Sequence, residues 1–552
     1  MSDENAPNRL LTLAAPAASA LLLTLAMPGL TGWWPLLFVA LIPLLWAARR
    51  LPPAKSGGMG MFSGLLYHLG LFYWISGVME RYGGLHSAAA LAVLVLLAAY
   101  MAAYTAVFCA IFNRLTGRPD SGRALSVTVL LTAPAAWVGL DVARGWLFTG
   151  LPWMDLGYGL SSQPLLIQAA DLGGHHLITF FIVQINALLL WIMEQLFRRP
   201  TVKTAKREYL LAVMVCLCLY SAGGYSTFRY RQVAFEAAEA EQAAAAAAQG
   251  NIEQSVKWSP AQKTTTVERY IALTEQLLSQ GMKPDLVVWP ETALPFYPHR
   301  DPLMGRVRDF VDKNKIQLIT GAPFFTVEMD APDSGEKKNL KPVEYFNSAI
   351  LLDRSGKMVD RYSKQHLVPF GEYVPLREYL WFVRPLVELL GDFTSGSSSK
   401  PLAAERIRAG TLICFESIFP EIARKTTAEG ANLLINLTND AWYGHTSAPH
   451  HSWAMTVMRA VENRRSLLRA ANTGISGIIE PTGAVKSQSG LFHEAVLADN
   501  SIALLTGQTF FVRIGHWFGA CCLALTGLLL LGRWQLDIGR RKQARSGGGG
   551  QL

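Results

Sequence analysis

The chain has 552 residues, of which 51% are hydrophobic and 16% charged, and its mean hydropathy is +0.23. Disordered chains lack apolar residues and typical soluble domains have about 25% charged residues, so the composition excludes the first class and argues against a conventional soluble enzyme. The formal net charge of +9 fits a nucleic-acid surface, an acidic membrane partner or a membrane topology signal. The distribution of the charges along the chain distinguishes these three interpretations.

Long apolar runs occupy the first 224 residues and recur once towards the C-terminal end. A bilayer core requires about 20 apolar residues in a helix that crosses it. Eight spans are predicted, at 10–27, 31–48, 59–79, 87–112, 125–147, 175–197, 208–224 and 514–532. The fifth contains Asp141 and Arg144, which we expect to form an ion pair that faces the interior of the bundle. Whether such a pair lines a lipid path or only pins helices together stays open.

The excess of basic residues lies outside the stretch between Gly224 and Phe510. That stretch holds 30 Lys and Arg against 31 Asp and Glu, whereas the remainder holds 20 against 10. With the N-terminus in the cytoplasm, the cytoplasmic segments contain 17 basic residues and the opposite short loops contain only Arg81. Because basic loops stay in the cytoplasm, residues 225–510 are predicted to lie outside it. They contain no basic cluster with interleaved aromatic residues, so no nucleic-acid partner is expected.

Within this region, apolar runs alternate with amphipathic stretches. The predicted strands are 285–289, 316–323, 346–353, 407–415, 431–438 and 466–480, and the predicted helices are 264–280, 303–314, 417–429 and 451–464. Alternation of this kind is typical of an α/β domain with layered sheets.

Three residues at the ends of apolar runs suit the chemistry of acyl transfer. Glu291 ends LVVWPE, Lys364 lies in RYSKQHLVPFGEYVP, and Cys414 lies in TLICFE. A thiolate is a nucleophile, a carboxylate can take the thiol proton, and an ammonium can stabilise an oxyanion. Taken singly, a Cys in a strand is more often a core residue, a Glu beside Pro can cap a helix, and a Lys can simply be solvated. The catalytic interpretation therefore depends on the surrounding sequence.

That surrounding sequence resembles the nitrilase (carbon–nitrogen hydrolase) superfamily. The matching segments are QGNIEQSVKW (249–258), VVWPETALP (287–295), SKQHLVPFGEYVP (363–375), LICFES (412–417) and NLTNDAWYG (436–444). Within the superfamily, the chain is most similar to the membrane-bound branch, the bacterial apolipoprotein N-acyltransferases, over essentially its whole length. The segment around Lys364 is the most specific, because a generic α/β domain does not require it.

The resemblance implies a fold and a division of the chain. An eight-helix transmembrane bundle would carry a nitrilase-like α-β-β-α sandwich. The divisions are a seven-span bundle at 1–224, an extracytoplasmic catalytic domain at 225–510, a C-terminal span at 511–535, and a cytoplasmic tail at 536–552 whose end, SGGGGQL, is typical of an added linker. Although 235–249 has strong helix propensity, the resemblance makes its second half a buried first strand.

The resemblance also implies roles for individual residues. Glu291 would be the general base and Cys414 the nucleophile, while Lys364 and the backbone N–H of Phe415 would stabilise the tetrahedral oxyanion. Further positions also match the family: Glu372 and Glu416 match acidic residues that support this triad, and Trp258 and Tyr373 match aromatic residues that line an acyl pocket, with plain packing as their alternative.

The implied reaction is a ping-pong acyl transfer that needs no cofactor and no metal. Cys414 would take an acyl chain from a phospholipid, expected to be phosphatidylethanolamine, and pass it to the α-amine of the S-diacylglyceryl cysteine of an apolipoprotein. Both substrates are lipids of the outer leaflet of the bacterial inner membrane, which fits the predicted periplasmic position of the catalytic domain. The alternatives are a membrane-anchored nitrilase-type amidase that hydrolyses a C–N bond, and a non-catalytic membrane binding or transport protein.

Two other segments carry weaker predictions. The segment 376–391 places apolar residues on one helical face and is predicted to be a membrane-dipping lid that contacts substrate through Leu380, Val383 and Val387, with an ordinary buried helix as the alternative. His445, His450 and His451 lie close in sequence but lack the spacing of a metal site, so none is expected there.

Overall fold

The computed structural model describes residues 9–117, 125–197, 206–254, 260–326, 344–373 and 393–546. The chain forms two compact units. The helical unit comprises Met1–Ser76, Ser87–Thr227 and His516–Leu552, and the α/β unit comprises Gly77–His86 and Phe228–Gly515.

Apolar sequence forms helices throughout the helical unit. In chain order these helices, two of which continue into the α/β unit, are α1 (Arg9–Ala26), α2 (Ile42–Arg50), α3 (Pro53–Phe72), α4 (Trp74–Arg81), α5 (Ser87–Thr116), α6 (Val129–Trp146), α7 (Ala170–Gly173), α8 (His175–Leu196), α9 (Lys206–Glu239) and the C-terminal helix Trp517–Ser546. Small residues bring α3 and α5 together, since a Cβ on Gly64 would lie 2.9 Å from the Cα of Ala102. Such close approach is typical of helix packing in membranes.

The predicted count of eight spans is not reproduced. In the described part of the chain, the helices long and apolar enough to cross a membrane are four, Ser87–Thr116, His175–Leu196, Glu208–Glu239 and Trp517–Gly539. A fifth results if α3 and α4, which are bent by 52° at their break, form one span. A continuous helix over 31–48 was a wrong prediction, because Trp34–Phe38 forms a 3-10 turn and α2 has only nine residues. Pro35 and Pro43 each remove a backbone donor from this segment.

The expected ion pair in α6 is present and belongs to a larger network. Arg144 Nη2 lies 3.0 Å from Asp141 Oδ1, and both side chains are buried. Arg144 also pairs with Asp155, whose Oδ2 lies 2.8 Å from His175 Nε2. The periodicity of a single helix indicated only the first pair, because Asp155 and His175 come from other segments of the chain.

The α/β unit is built on two six-stranded sheets. Its strands are β1 (Gln242–Gln249), β2 (Leu286–Val288), β3 (Leu318–Thr326), β4 (Glu344–Leu352), β5 (Met358–Ser363), β6 (Leu402–Ala404), β7 (Ile407–Ile413), β8 (Leu433–Thr438), β9 (Ser466–Ala471), β10 (Gly477–Ile479), β11 (Val485–Gln488) and β12 (Ala495–Ala503). The strand orders are β12-β1-β2-β3-β4-β5 and β11-β10-β9-β8-β7-β6. Each sheet has three parallel strands at its centre, β1-β2-β3 and β7-β8-β9, flanked by antiparallel ones.

Helices cover the outer faces of these sheets. They are α10 (Pro260–Ser279), α11 (Leu303–Asn314), α12 (Pro420–Ala428) and α13 (Ala448–Asn463), and α14 (Phe510–Ile514) follows β12. The inner faces pack on each other through one core cluster, to which Ala247 and Leu286 contribute from one sheet and Ile435 and Leu468 from the other. A second core cluster joins the first sheet to α10 and α11. The predicted nitrilase-like sandwich is therefore confirmed.

Most predicted strands and helices of this unit coincide with observed ones to within a few residues. The polyalanine segment forms β1, which is buried, so tertiary context overrides helix propensity as expected. The single strand predicted at 466–480 is wrong, because the chain reverses after Ala471 and returns as the antiparallel strand β10.

Candidate active site

Glu291 lies shortly after β2 on a firmly anchored stretch of chain. Two residues earlier, the indole of Trp289 stacks on Tyr270 with ring centroids 5.5 Å apart and donates a hydrogen bond to Thr274 Oγ1 at 3.0 Å. Glu291 itself is 7% exposed. A side chain that follows an anchored strand in this way keeps its position.

Lys364 directly follows β5 and is 1% exposed. Its Nζ lies 2.9 Å from the carboxylate of Glu372 and 3.9 Å from Glu291 Oε1. Burial alone would lower the pKa of Lys364, but the carboxylates of Glu372 and Glu291 hold it above its usual value. The lysine is therefore a permanent cation between two carboxylates.

Asn347 is a site residue that the sequence patterns did not reveal. It lies on β4, and its Nδ2 donates to Glu291 Oε1 at 2.8 Å and to Glu372 Oε1 at 3.0 Å. The amide thus bridges the two carboxylates that flank Lys364. The signal available in the sequence was a polar residue inside the apolar run FNSAILLD, which equally fits an ordinary hydrogen bond in the core.

Cys414 lies at a sharp turn where β7 ends and the 3-10 turn Cys414–Ile418 begins. Its φ of 52° is in the left-handed region, which is strained for a residue with a side chain and is often found at functional sites. Burial, with the charge of Glu291 adding and that of Lys364 opposing, raises the pKa of the Cys414 thiol to about 12. The sulfur is consequently a neutral thiol at neutral pH, and the two predicted partners lie close enough to act on it.

Glu416 fastens the turn of Cys414 to the segment that carries Lys364. Its buried carboxylate accepts hydrogen bonds from four donors: the backbone N–H of Ile413 at 2.7 Å, of Gln365 at 2.6 Å and of His366 at 3.2 Å, and the hydroxyl of Tyr362 at 3.0 Å. Burial raises the pKa of Glu416 to about 7, although the N–H donors oppose this shift. Glu416 therefore holds the geometry of the site by accepting hydrogen bonds from backbone N–H groups beside Cys414 and Lys364.

The chain is similar to known proteins over both units. Two family models match it, the apolipoprotein N-acyltransferase N-terminal domain at residues 19–188 and the carbon-nitrogen hydrolase model at residues 244–505. An apolipoprotein N-acyltransferase of Geobacter metallireducens is 36% identical over 94% of this chain and 94% of its own. Those of Azotobacter vinelandii and Pseudomonas putida are each 32% identical, over 98% and 97% of this chain and 97% of their own. The chain belongs to the apolipoprotein N-acyltransferase family.

Membership of the apolipoprotein N-acyltransferase family makes the chain an acyltransferase of the carbon–nitrogen hydrolase superfamily. The hydrolase model matches residues 244–505, which include the Glu291, Lys364 and Cys414 described above. The N-terminal model matches residues 19–188, which lie mostly in the helical unit.

Other predicted residues of this N-acyltransferase are placed as follows. The ring of Phe415 packs edge-on against Phe419 at 5.3 Å, and Phe419 lies 3.7 Å from the ring of His366. Tyr373 is partly buried and directly follows Glu372. Trp258, Leu380, Val383, Val387 and the predicted lid at 376–391 lie outside the described residues.

One group of potential metal ligands occurs among the described residues of the N-acyltransferase, and it does not involve His445, His450 or His451. Asp155, His175 and His176 bring ligand atoms within 4.8 Å of one another in the helical unit. Arg144 already supplies a positive charge to Asp155 there. His445, by contrast, packs its ring on Phe492 at 4.1 Å.

Proposed function

We propose that Glu291, Lys364 and Cys414 carry out phospholipid-dependent N-acylation of apolipoproteins through a thioester. The observation that carries this proposal is the convergence of the three residues, with Lys364 Nζ 3.9 Å from Glu291 and both charges acting on the Cys414 thiol. Each comes from a different segment of the chain, so their meeting is a property of the fold.

In the first half-reaction, Cys414 Sγ attacks the ester carbonyl carbon of a phospholipid acyl chain. Because the thiol is neutral at rest, Glu291 takes its proton as the sulfur–carbon bond forms. The carbonyl oxygen becomes an oxyanion, which the Lys364 ammonium and the N–H of Phe415 stabilise. Collapse breaks the ester carbon–oxygen bond, Glu291 protonates the leaving alkoxide, and lysophospholipid departs.

In the second half-reaction, the α-amine of the diacylglyceryl cysteine attacks the thioester carbon. Glu291 accepts a proton from the amine, the carbon–sulfur bond breaks as the tetrahedral intermediate collapses, and Glu291 gives this proton to the departing sulfur, which becomes a thiol again. The products are an amide on the lipoprotein and free enzyme, so protons and electrons balance without a cofactor.

The donor is proposed to be a diacyl phospholipid such as phosphatidylethanolamine, held at the outer leaflet of the bacterial inner membrane. Burial of each acyl CH₂ group contributes about 0.8 kcal/mol, so a chain that leaves the bilayer needs a continuous apolar environment. The predicted lid at 376–391, with Leu380, Val383 and Val387 on one face, and the aromatic residues Trp258 and Tyr373 are proposed to supply it.

The orientation that we propose keeps the α/β unit on the periplasmic side of the membrane. The 17 basic residues of one set of loops, against Arg81 alone in the other, support this orientation. It requires an odd number of crossings before residue 225. We propose seven, with the broken segment from Trp34 to Arg50 as the second crossing, and an eighth after the α/β unit.

The test uses the full-length protein in proteoliposomes that contain an alkyne-labelled phosphatidylethanolamine. A hydroxylamine-sensitive label is expected on the fragment of the protein that contains Cys414. When a diacylglyceryl-cysteinyl peptide is added as the acceptor, the label should move from Cys414 to this acceptor peptide. Parallel vesicles with labelled phosphatidylglycerol or phosphatidylcholine measure the preference for the head group.

The matched control is Cys414→Ala, which should not be labelled. Labelling of Cys414→Ala would overturn the assignment of the nucleophile. Discharge to water at the same rate with and without the acceptor peptide would favour the amidase alternative, and a wild-type protein that never becomes labelled would favour the binding or transport alternative.

A further inference from the structure

A second group of polar residues reaches Cys414 from the neighbouring strand. β8 runs parallel to β7 with Leu437 paired to Ile413, so the next residues, Thr438 at the end of β8 and Cys414 directly after β7, lie side by side. Burial raises the pKa of the Cys414 thiol, and the hydroxyl of Thr438, acting as a hydrogen-bond partner, opposes this effect. The same hydroxyl also donates a hydrogen bond to Asp440 Oδ1 at 3.0 Å.

Asp440 is fixed at both of its oxygens. Oδ1 accepts from Thr438, and Oδ2 accepts from Arg469 Nη2 at 2.9 Å, with both charged side chains 0–1% exposed. The chain also keeps space for this carboxylate, since a Cβ on Gly474 would lie 2.0 Å from Asp440 Oδ2. A carboxylate held in this way cannot turn, and in the resting site it directs the hydrogen of the Thr438 hydroxyl towards Asp440.

All the N–H donors of the Arg469 guanidinium form hydrogen bonds. Its five N–H groups reach five acceptors: Ile475 O at 3.0 Å, Asn436 Oδ1 at 2.5 Å, Thr456 Oγ1 at 2.8 Å, Asp440 Oδ2 at 2.9 Å and Ser452 Oγ at 3.0 Å. Apolar residues of similar volume often stabilise a fold as well as a buried ion pair does. Stability alone therefore does not account for this network, and its role lies in the orientation of the Thr438 hydroxyl at its end.

We propose that Thr438, oriented by Asp440 and Arg469, is a positioning residue that holds the sulfur of Cys414 and controls how readily that sulfur carries negative charge. The inference rests on the proposed role of Cys414 as the nucleophile. At rest the hydroxyl hydrogen is given to Asp440, and Thr438 holds a neutral thiol. When negative charge develops on the sulfur, the hydroxyl turns towards it and donates a hydrogen bond.

The same contacts act on the thioester stage. The second half-reaction ends with the sulfur as leaving group, and a hydrogen bond from Thr438 to that sulfur favours departure. The positioning group therefore influences both half-reactions, whereas Lys364 acts on the oxyanion.

The test measures the rate at which iodoacetamide alkylates Cys414 between about pH 7 and 10, by mass spectrometry of the peptide that contains it. The ionisable groups that act on this thiol are Glu291, Lys364, Asp440 and Tyr443. Thr438→Val removes the hydroxyl and leaves these groups in place. It should lower the alkylation rate about ten-fold at a given pH, the usual effect of one hydrogen bond to a charged atom, and Thr438→Ser should restore it.

A second variant changes the rate in the opposite direction. Asp440→Asn removes a negative charge that disfavours the thiolate and releases the Thr438 hydroxyl to the sulfur, so alkylation should become faster. The matched control is Thr427→Val, a buried threonine of α12, which should leave the alkylation profile and acyl-enzyme formation unchanged.

The outcomes separate this inference from the proposed function. The inference is overturned if Thr438→Val has the wild-type alkylation profile, if Asp440→Asn slows alkylation, or if Thr427→Val has the same effect as Thr438→Val. It is supported if Thr438→Val lowers both alkylation and acyl-enzyme formation and Thr438→Ser recovers both. Acylation of Cys414→Ala would instead overturn the proposed nucleophile, whatever the alkylation rates are.

Discussion

At the scale of single residues, the site depends on how two carboxylates share one lysine. Glu291 and Glu372 both lie close to Lys364. Asn347, on the strand β4 that pairs with β5, donates hydrogen bonds to both carboxylates. The amide N–H groups reduce the repulsion between the two carboxylates without changing the net charge. Asn347 thereby links the two carboxylates beside Lys364.

The substitution Asn347→Asp should therefore impair acylation. It replaces a donor by a third negative charge against Glu291 and Glu372, and we expect acyl-enzyme formation to fall by at least about ten-fold, which corresponds to about 1.4 kcal/mol in the barrier. The measurement is the rate of label incorporation from phosphatidylethanolamine. Asn500→Asp makes the same change at an exposed position of β12 and should have the wild-type rate; equal rates for both variants would contradict the bridging role of Asn347.

The site residues that could be predicted are those that lie in specific sequence motifs. Glu291, Lys364 and Cys414 each belong to a motif of the superfamily that the sequence resembles, and these motifs were enough to select them as candidates. Asn347 lies outside the matching segments. Thr438 and Asp440 lie inside NLTNDAWYG, but their proximity to Cys414 and Arg469 depends on which strands are neighbours. The pairing of β7 with β8, and of β4 with β5, cannot be obtained from one sequence without knowing the sheet order.

At the scale of elements, β1 shows how a sequence of alanines can serve as a central strand. It lies between β12 and β2, and Ala243, Ala245 and Ala247 face the core between the sheets with no exposed surface. Short side chains at these positions leave the space between the sheets to the larger residues of neighbouring strands.

Enlarging one of these alanines should destabilise the α/β unit. Ala247→Leu adds a branched side chain to a packed core, and overpacking of this kind costs about 1–3 kcal/mol. A lower melting temperature in intrinsic tryptophan fluorescence is the expected result. Ala403→Leu makes the same change at an exposed position of β6 and serves as the control; an unchanged melting temperature for Ala247→Leu would show that the strand is not packed as described.

The contact between α3 and α5 gives a matching prediction for the helical unit. Gly64→Leu places a side chain where Ala102 Cα already lies within 2.9 Å of a Cβ, so the helices must separate. We expect a loss of stability of about 1–3 kcal/mol, measured by thermal unfolding in detergent. Gly58→Leu on the same helix has nothing within 4 Å and should be tolerated, and a similar loss in both variants would argue against close packing at Gly64.

At the scale of the whole molecule, the uneven charge distribution determines the expected orientation. The α/β unit is nearly neutral, and the basic excess lies in the loops and tail outside it. We therefore expect these loops in the cytoplasm and the α/β unit in the periplasm.

The orientation can be measured with single cysteines introduced into a variant in which all six native cysteines, Cys414 included, are replaced by Ser. Gln488→Cys, on an exposed part of β11, should react with a membrane-impermeant maleimide in spheroplasts. Lys55→Cys, at the start of α3, should react only after permeabilisation. The reverse pattern would place the α/β unit in the cytoplasm and contradict the proposed topology.

The sequence predicted the α/β sandwich better than the helical unit, and the reason is physical. Alternating strands and helices of the sandwich have distinct periodicities, so the elements predicted between 264 and 464 coincide with observed ones, although the strands β5 and β6 of this range were not predicted. In the helical unit, apolar composition alone cannot separate a crossing helix from a short or broken one. The turn at Trp34–Phe38 and the 52° bend between α3 and α4 show how proline and backbone geometry divide an apolar run.

The pairing of β1 with β12 has a consequence for the way the α/β unit is connected. β1 starts just after α9 and β12 ends shortly before the C-terminal helix, and Gln242 lies opposite Ala503 across the antiparallel pair. Neighbouring strands are about 4.8 Å apart, so the two ends of the segment from Gln242 to Ala503 lie side by side. This segment forms most of the α/β unit, to which Gly77–His86 contributes from elsewhere in the chain. A connection of a few residues would be long enough to join Gln242 to Ala503 without changing the strand order of either sheet.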